Sequence, residues 1–494
     1  MTAGIIVAII ALPLSIALAL ASGVGPEAGI FTAIVAGFVI SALGGSSVQI
    51  AGPTAAFATI VAGIVAKNGL DGLVIATILA GIFLILMGLC HFGTLIRFIP
   101  YTITTGFTAG IAVTIVIGQL KDFFGVTYPD GVKPIETMEK LHAFVENCGT
   151  VNLSAVIVGV VSLAILIISP YIFKKIPGSL LAVVAGILMV KFLPLKASTI
   201  GDLYSISNAL PGFHLPALSL AAVKDAIPNA FTIAVLAAIE SLLSCVVADG
   251  MINGKHRSDM ELVAQGAGNI ASALFGGIPA TGAIARTAAN IKNGGRTPIA
   301  GMVHSITLVL VLVVLMPYAG MIPMPTIAAI LFVVAYNMCQ WRPFAHLIQT
   351  APKSDILVLL VTFFLTVVFD LVVAIEIGML LTCLLFMKRM SDETHVDSWT
   401  YVDDDSDAVN DHMQKLAKGI RVYEITGPLF FGAANAIEHI VVKDFTKCLV
   451  LRMRSVPALD STAMNALQNL VKYCEAKGIT PIFSHVNEQP MHVM

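Results

Sequence analysis

Glu240 lies in the middle of an apolar run, where a carboxylate is more often functional than structural. The run 231–247 supplies about two turns of apolar helix on each side of it. A carboxylate inside a membrane is costly and is by default a functional-site hypothesis. Because burial disfavours the charged form, such a group can take up and release a proton near neutral pH. We therefore predict that Glu240 carries a coupling proton.

Arg286 is the only basic residue between Arg257 and Lys292, and the sequence around it predicts the first turn of a short helix. A cation at a helix N-terminus is unfavourable by itself and indicates a compensating anion. A guanidinium group can also bind two oxygens of a carboxylate or sulfate at once. Arg286 therefore predicts an anion site. Two alternatives stay open: a structural arginine that reaches a carbonyl or the lipid headgroups, and a permanent ion pair with Glu240.

Two stretches of small residues predict helices that begin inside a bilayer. The first, Gly52-Pro53-Thr54-Ala55-Ala56, places Pro53 at the first helical position and leaves the following N–H groups without intrahelical partners. The sequence of 41–45 recurs at 272–277, with the closing glycines 232 positions apart. This offset places Ala285 opposite Pro53, and Arg286 opposite Thr54. Two opposed helix N-termini would offer N–H donors and positive dipole ends to an anion; ordinary helix starts in loops are the alternative.

The composition is that of a membrane protein with many spans. The chain of 494 residues is 57% hydrophobic and 12% charged, with a mean hydropathy of +0.91. Apolar runs close to the ~20 residues needed to cross a bilayer follow one another up to residue 390. We predict fourteen segments, the third and tenth too short to cross alone, near residues 3–21, 28–43, 53–66, 70–91, 101–120, 152–173, 178–193, 229–248, 260–276, 285–293, 298–316, 324–336, 354–369 and 371–390.

The distribution of Lys and Arg predicts the orientation of these segments. Loops after even-numbered segments carry most of the basic residues, as the positive-inside rule requires for a cytosolic N-terminus. Seven segments per half is an odd number, so the two halves have opposite topology. The fold class is therefore a polytopic α-helical membrane protein with a 7+7 inverted repeat, at about 1–195 and 225–390. We expect it in the bacterial inner membrane.

The composition changes after residue 390. Residues 391–418 are polar and acidic and predict a linker. Residues 419–494 predict a small cytosolic α/β domain that lacks a final helix, with strands near 420–425, 448–453 and 480–483 and helices near 435–443 and 462–477. Asp460 is expected to cap the second helix. Phosphorylation of Ser461 or Thr462 would add charge at that helix N-terminus and act as a regulatory switch.

Four motifs resemble the SulP (sulfate permease) anion transporters, and the resemblance covers nearly the whole chain. They are Ala11-Leu12-Pro13-Leu14-Ser15-Ile16-Ala17, Gln49-Ile50-Ala51-Gly52-Pro53-Thr54-Ala55-Ala56, Glu261-Leu262-Val263-Ala264-Gln265-Gly266-Ala267-Gly268-Asn269 and Ala283-Ile284-Ala285-Arg286-Thr287-Ala288. Residues 419–487 are similar to the family's C-terminal STAS domain. Asp460-Ser461 matches the position where related anti-sigma-factor antagonists are phosphorylated.

The resemblance implies a core domain (segments 1–4 and 8–11) that moves against a gate domain (5–7 and 12–14) in an elevator-like cycle, usually in a homodimer. It implies an anion between segments three and ten, with Glu240 coupling a proton. The candidate substrate-binding residues are Gly52, Pro53, Thr54, Ala55, Ala283, Ala285, Arg286 and Thr287. Leu14 in place of Gln, and alanines in place of the serines before Arg286, leave fewer hydroxyl donors than several animal members have. Residues 285–289 are most similar to bacterial members that carry C4-dicarboxylates.

Together these features predict a secondary active, proton-coupled transporter of sulfate-like or C4-dicarboxylate anions. The expected partners are the anion, a proton or sodium ion, the lipid bilayer, a second copy of the chain and a cytosolic protein at the STAS domain. A sodium-coupled bicarbonate transporter, an anion exchanger, a nucleobase carrier and a membrane-anchored anion sensor that signals through STAS are the alternatives. The sequence has no metal-ligand spacing, no Lys/Arg-rich stretch and no nucleophile–base pair, so we predict no metal, cofactor, nucleic acid or enzymatic activity.

Overall fold

The chain forms two compact units, residues 1–378 and 379–494, in a computed structural model. The structure describes residues 1–94, 100–129, 134–172, 177–193, 195–204, 206, 209–216, 219–369, 371–399, 419–433, 437, 440 and 445–494.

Unit 1 consists of helices and two very short strands. In chain order these are α1 (Thr2–Ala21), α2 (Pro26–Leu43), β1 (Ala51–Gly52), α3 (Ala55–Leu89), α4 (Tyr101–Phe124), α5 (Thr137–Glu146), α6 (Leu153–Ile172), α7 (Gly178–Phe192), α8 (Ile200–Leu203), α9 (Leu220–Ile252), α10 (Ser258–Leu274), β2 (Thr281–Gly282), α11 (Ile284–Lys292), α12 (Ile299–Ala319), α13 (Met324–Cys339), α14 (Trp341–Thr350) and α15 (Lys353–Val368). Helix α16 (Leu371–Asp392) continues into unit 2. Within the described ranges, and with α13 and α14 taken as one, eight helices are long and apolar enough to cross a membrane.

All fourteen predicted segments correspond to helices, which confirms the polytopic helical fold. Segments three and four are the two halves of α3, which spans 35 residues and is broken at Gly69, where φ is +71°. Glycine adopts this left-handed conformation without a steric penalty. An unbroken helix of that length would measure roughly 50 Å, well above the ~30 Å of a bilayer core. The break therefore lets the first half of α3 end before the second half crosses.

Three short helices and one helix boundary differ from the prediction. Helices α5, α8 and α14 are short and lie between the predicted segments. Helix α9 begins at Leu220 rather than near 229. Ser219 is its N-cap residue, and the Ser219 hydroxyl accepts the Ala222 N–H at 3.1 Å, which stabilises the earlier first turn.

Unit 1 packs as two groups of helices. Helices α1, α2, α3, α9, α10, α11 and α12 form one contiguous group, whereas α4 packs on α13 and α15, and α6 packs on α7 and α13. In the first group α3 and α10 cross closely, since a Cβ atom on Gly81 would lie only 2.6 Å from the Gly266 carbonyl oxygen. The grouping matches the helices expected for a core and a gate domain.

Unit 2 contains a four-stranded sheet in the order β3 (His395–Trp399), β4 (Ile420–Thr426), β5 (Cys448–Ser455) and β6 (Thr480–Ser484). Strand β3 is antiparallel to β4, and the remaining pairs are parallel. Helices α17 (Ser461–Ala476) and α18 (Glu488–Val493) complete the described part. Leu449, Leu451 and Met453 of β5 form a core with Ala463 and Leu467 of α17. The α/β pattern is confirmed, but the expected lack of a final helix is wrong, since the short helix α18 follows the last strand.

The linker predicted at 391–418 is partly a strand, and some of the predicted tail lies outside the residues that the structure describes. Residues 395–399, expected in the polar linker, form edge strand β3, because their backbone groups pair with 422–426. The rest of that linker from residue 400 lies outside the described residues, as does most of the helix predicted at 435–443.

Asp460 holds two parts of unit 2 together. Its Oδ1 accepts the Ala463 N–H at 2.8 Å and caps α17, while its Oδ2 accepts the Phe431 N–H at 2.8 Å. Ser461 is the exposed first residue of that helix. The expected cap is thus present, and phosphorylation of Ser461 stays a prediction.

We expect Asp460→Ala to destabilise unit 2 by about 1–2 kcal/mol, because two backbone donors lose their acceptor. The measurement is hydrogen exchange in the first turn of α17, followed by urea unfolding of the full-length protein. Ser461→Ala, one residue away, is the matched control. Equal exchange rates in the two variants would contradict the assignment.

Candidate functional site

Two helices of unit 1 begin side by side at a pair of very short antiparallel strands. Ala51 of β1 pairs with Gly282 of β2, and Gly52 pairs with Thr281. Strand β1 leads into α3 and β2 leads into α11. The strand pairing therefore holds the N-termini of α3 and α11 next to each other, as the sequence predicts.

The first N–H groups of both helices lack acceptors within their own helix. Thr54 and Ala283 are the N-cap residues, and neither side chain caps its helix. The first donors back to these caps are Phe57 N–H in α3 and Thr287 N–H in α11. The N–H groups before them are available to a ligand. Thr54 is partly exposed and Ala285 is exposed, so the two helix starts are accessible.

The two helix starts do not correspond at the predicted offset of 232 positions. Helices α3 and α11 begin 229 positions apart, not 232. The connection from the paired glycines to the helix is three residues shorter in the second copy, so Arg286 corresponds to Phe57 and not to Thr54. Pro53 also lies before the helix rather than at its first position. A fixed offset fails because it ignores this shorter connection.

Glu240 lies beside the start of α3. Its Oε2 accepts a hydrogen bond from the Thr54 hydroxyl at 2.9 Å, and its side chain is partly exposed. One turn earlier, the Ala237 carbonyl accepts the Thr281 hydroxyl at 3.1 Å, which ties β2 to the same part of α9. No salt bridge joins Glu240 to Arg286 within the described part of the chain. The structure therefore does not show the ion pair that the sequence left open as an alternative.

Arg286 is buried in the first turn of α11, against the residues that precede α3. Its side chain is 2% exposed, and Nη2 donates to the Pro53 carbonyl at 2.9 Å. Nε and Nη1 have no hydrogen-bond partner among the described atoms. A Cβ atom on Gly52 would collide with Nη1, so any other residue at position 52 must displace the guanidinium group. Arg286 thus places a positive charge next to the carbonyl that precedes α3.

Two other candidate residues stabilise the place where β1 pairs with β2 and where α3 and α11 begin, here called the helix crossing. The Ala283 N–H donates to the Ile50 carbonyl at 2.9 Å, and the Thr287 hydroxyl accepts the Ile50 N–H at 3.0 Å. Thr287 is 1% exposed. Both residues therefore connect α11 to the segment before β1. Ala55 is the first residue of α3, and Ser461 belongs to unit 2.

Sequence reasoning missed several buried polar residues around the crossing. The Asn290 amide donates to the Val48 carbonyl at 2.9 Å, and the Asn269 amide exchanges hydrogen bonds with Ala280 at 2.8 and 2.9 Å. Gln49 and Glu261 form a further group. Asn269, Gln49 and Glu261 lie within motifs that the resemblance already used, and the signal that could have found them is their polarity inside apolar segments.

Two family models match the chain. One, described as the sulfate permease family, matches residues 1–362, and the other, the STAS domain, matches residues 414–494. The chain belongs to the sulfate permease family. It is a sulfate-permease-type anion transporter with a C-terminal STAS domain and not an enzyme.

Related proteins agree with this assignment over most of their length. YvdB of Bacillus subtilis, provisionally named a sulfate transporter, is 41% identical over 482 residues, which cover 95% of this chain and 88% of YvdB. The bicarbonate transporter BicA of Picosynechococcus sp. is 32% identical over 487 residues, covering 95% of this chain and 85% of BicA.

Solved structures show the same fold. The transmembrane domain of a cyanobacterial BicA has a TM-score of 0.68 at 31% identity, covering 75% of this chain and 95% of that one. The structure of SLC26A9 has a TM-score of 0.85 at 19% identity, covering 99% and 84%. This second likeness supports the fold of the sulfate permease chain and nothing finer.

We expect Gly52→Ala to weaken anion binding and to destabilise the protein by about 1–3 kcal/mol, because the methyl group displaces the Arg286 guanidinium. Binding of radiolabelled sulfate and bicarbonate, together with thermal unfolding in detergent, measures both effects. Gly118→Ala in α4, where a Cβ atom meets nothing within 4 Å, is the control. Unchanged affinity and stability in Gly52→Ala would contradict the packing argument.

Proposed function

We propose that the protein accumulates a sulfate-like oxyanion or a C4-dicarboxylate by proton-coupled symport, with the anion held between the N-termini of α3 and α11. The observation that carries this proposal is the hydrogen bond between Glu240 and Thr54 at the start of α3. It places a carboxylate that can change its charge next to helix N-termini that favour an anion.

The anion is stabilised by donors and by charge from different directions. The leading N–H groups of Ala55 and Ile284 supply hydrogen bonds from two helices. The buried guanidinium of Arg286 adds a positive charge that is weakly screened, since little water surrounds it. Gly52 pairs with Thr281, and the Ala283 N–H donates to the Ile50 carbonyl. The Pro53 carbonyl accepts from Arg286, so these contacts together set the distance between the two helix starts. Thr54 and Ala285 are the accessible members.

Glu240 couples the proton because its charge opposes that of the substrate. An ionised Glu240 repels an anion at the start of α3, whereas a protonated Glu240 does not. The Thr54 hydroxyl can donate to the carboxylate or accept from the carboxylic acid, so the contact survives both states. Proton and anion then bind cooperatively, and each raises the affinity for the other by the same factor.

The proposed movement is an elevator-like displacement of the first helix group against the second. A cavity of about 350 Å³ lies between them, lined by α3, α9, α4 and α15 and reaching Thr59, one turn into α3. It gives the anion a route along α3 toward the helix start. We further propose a homodimer in the bacterial plasma membrane with a cytosolic STAS domain, on the basis of the Lys/Arg asymmetry and the resemblance.

Sodium-coupled bicarbonate transport is the second candidate, favoured by the similarity to BicA. The test is uptake into proteoliposomes of sulfate, bicarbonate, succinate and fumarate, with and without a pH gradient, in sodium or choline buffer. Proton symport requires accumulation that follows the pH gradient in choline. Uptake that needs sodium and ignores the pH gradient selects the second candidate, and binding without flux selects the anion sensor.

We expect Glu240→Gln to abolish accumulation driven by a pH gradient but to spare exchange of internal for external anion. The amide keeps the shape of the protonated side chain and cannot release a proton. Counterflow and pH-driven uptake in the same vesicles separate the two activities. Asp225→Asn, an exposed carboxylate on the same helix, is the control. Unchanged pH-driven uptake in Glu240→Gln would sink the proposal.

We expect Arg286→Ala to lower anion affinity at least tenfold, because the positive charge next to the helix starts is lost. Arg286→Lys keeps the charge but not the fork of donors, so it should lose less. Equilibrium binding of the transported anion compares the variants. An affinity in Arg286→Ala equal to that of the wild type would refute the electrostatic role.

A further inference from the structure

A second carboxylate of the transport unit lies near the helix crossing and has no part in the proposed proton coupling. Glu261 is in the first turn of α10 and is 0% exposed. No Lys or Arg side chain forms a salt bridge with it in the described portion of the chain. A buried carboxylate without a cation needs several hydrogen bonds to offset its desolvation.

Four N–H donors converge on Glu261. Oε2 accepts the backbone N–H groups of Gly45 and Ser46 at 2.9 and 3.2 Å. Oε1 accepts the side-chain amides of Gln49 and Gln265 at 3.0 and 2.9 Å. Backbone N–H groups cannot act as acceptors. A protonated Glu261 would point its O–H at a donor on either oxygen unless the Gln265 amide turned to present its oxygen, so the arrangement seen here favours the carboxylate form.

Gln49 extends this group to the helix crossing. Its Oε1 accepts the Cys245 thiol of α9, at the opposite end of the amide from Glu261. A Cβ atom on Gly282 of β2 would collide with the Gln49 amide. Gln49 is followed directly by Ile50, which bonds to Ala283 and Thr287 of α11. Glu261 is therefore linked through Gln49 to α9, β2 and α11.

The two intramembrane glutamates differ in what surrounds them. Glu240 is partly exposed and meets one hydroxyl, which can donate or accept. Glu261 is enclosed and meets only donors. Besides the Cys245 thiol, the titratable groups facing this region are Asp249 and His256, which bond to each other at 2.7 Å. The first environment tolerates a change of protonation and the second favours the ionised form.

We propose that Glu261 stays ionised throughout transport and is a positioning residue: it fixes Gln49, and through Gln49 the relative placement of the α3 and α11 N-termini that bind the anion. The inference rests on the proposed function and deepens it, because it separates the carboxylate that titrates from the carboxylate that only holds the site in place.

The first test is Glu261→Gln in the full-length protein. Its amide oxygen can still accept the two backbone N–H groups, but its NH2 group then faces the amides of Gln49 and Gln265. We expect about a tenfold loss of affinity for radiolabelled sulfate or bicarbonate, whichever the wild type transports. The pH profile of transport should keep its wild-type midpoint, whereas Glu240→Gln should flatten it.

The second test is a reversal of the pair, Gln49→Glu with Glu261→Gln. The carboxylate introduced at position 49 accepts the amide introduced at position 261 and the Cys245 thiol. Gln265 can turn to present its oxygen, which has no partner here. We expect the double variant to recover to within about threefold of wild-type affinity. Gln49→Glu alone, which opposes two carboxylates, should be the weakest binder. This cycle isolates the coupling between the two positions.

Three results would overturn the inference: wild-type affinity in Glu261→Gln, a shifted pH midpoint in that variant, or no recovery in the reversed pair. Gln265→Leu removes one donor only and keeps the test usable if Glu261→Gln fails to fold; it should lose about threefold in affinity at an unchanged pH midpoint. Absence of anion uptake by the wild type would instead contradict the proposed function itself.

Discussion

The constraint on which the structure depends is that two helices of a membrane-spanning unit begin with N–H groups that have no acceptor in their own helix. In a bilayer, every backbone polar group needs a partner inside the protein or in a cavity. The β1–β2 pairing satisfies part of this requirement by joining Ala51 to Gly282 and Gly52 to Thr281. The groups that remain unpaired at Ala55 and Ile284 are those that an anion can use.

Three charged residues lie around this crossing, and they differ in the groups to which they are hydrogen-bonded. Arg286 is buried and donates from Nη2 to the Pro53 carbonyl, which directly precedes the N-cap of α3. Glu240 is partly exposed and meets a single hydroxyl, that of Thr54, with which either protonation form of a carboxyl group can bond. Glu261 is enclosed by donors that favour the ionised form. The two carboxylates therefore differ both in exposure and in their hydrogen-bond partners.

The fold was predictable from sequence because the bilayer sets the length of each apolar segment. Glu240, Arg286 and the two helix starts were also predictable, since charges and small residues stand out within apolar runs. The hydrogen bond from Arg286 to the Pro53 carbonyl was not predictable, because the connection before α11 is three residues shorter than the one before α3. The polar contacts of Gln49 and the pairing of β3 depend on segments far apart in the chain, which local patterns do not reveal.

Hydrogen exchange, measured by mass spectrometry with and without the transported anion, tests the central claim most directly. Peptides covering residues 50–57 and 280–287 report on the two helix starts separately. If an anion is held between them, saturating sulfate or bicarbonate should slow exchange in both peptides together, at the same ligand concentration. Transport of the anion without protection of either peptide, or with protection of only one, would contradict a site shared by α3 and α11.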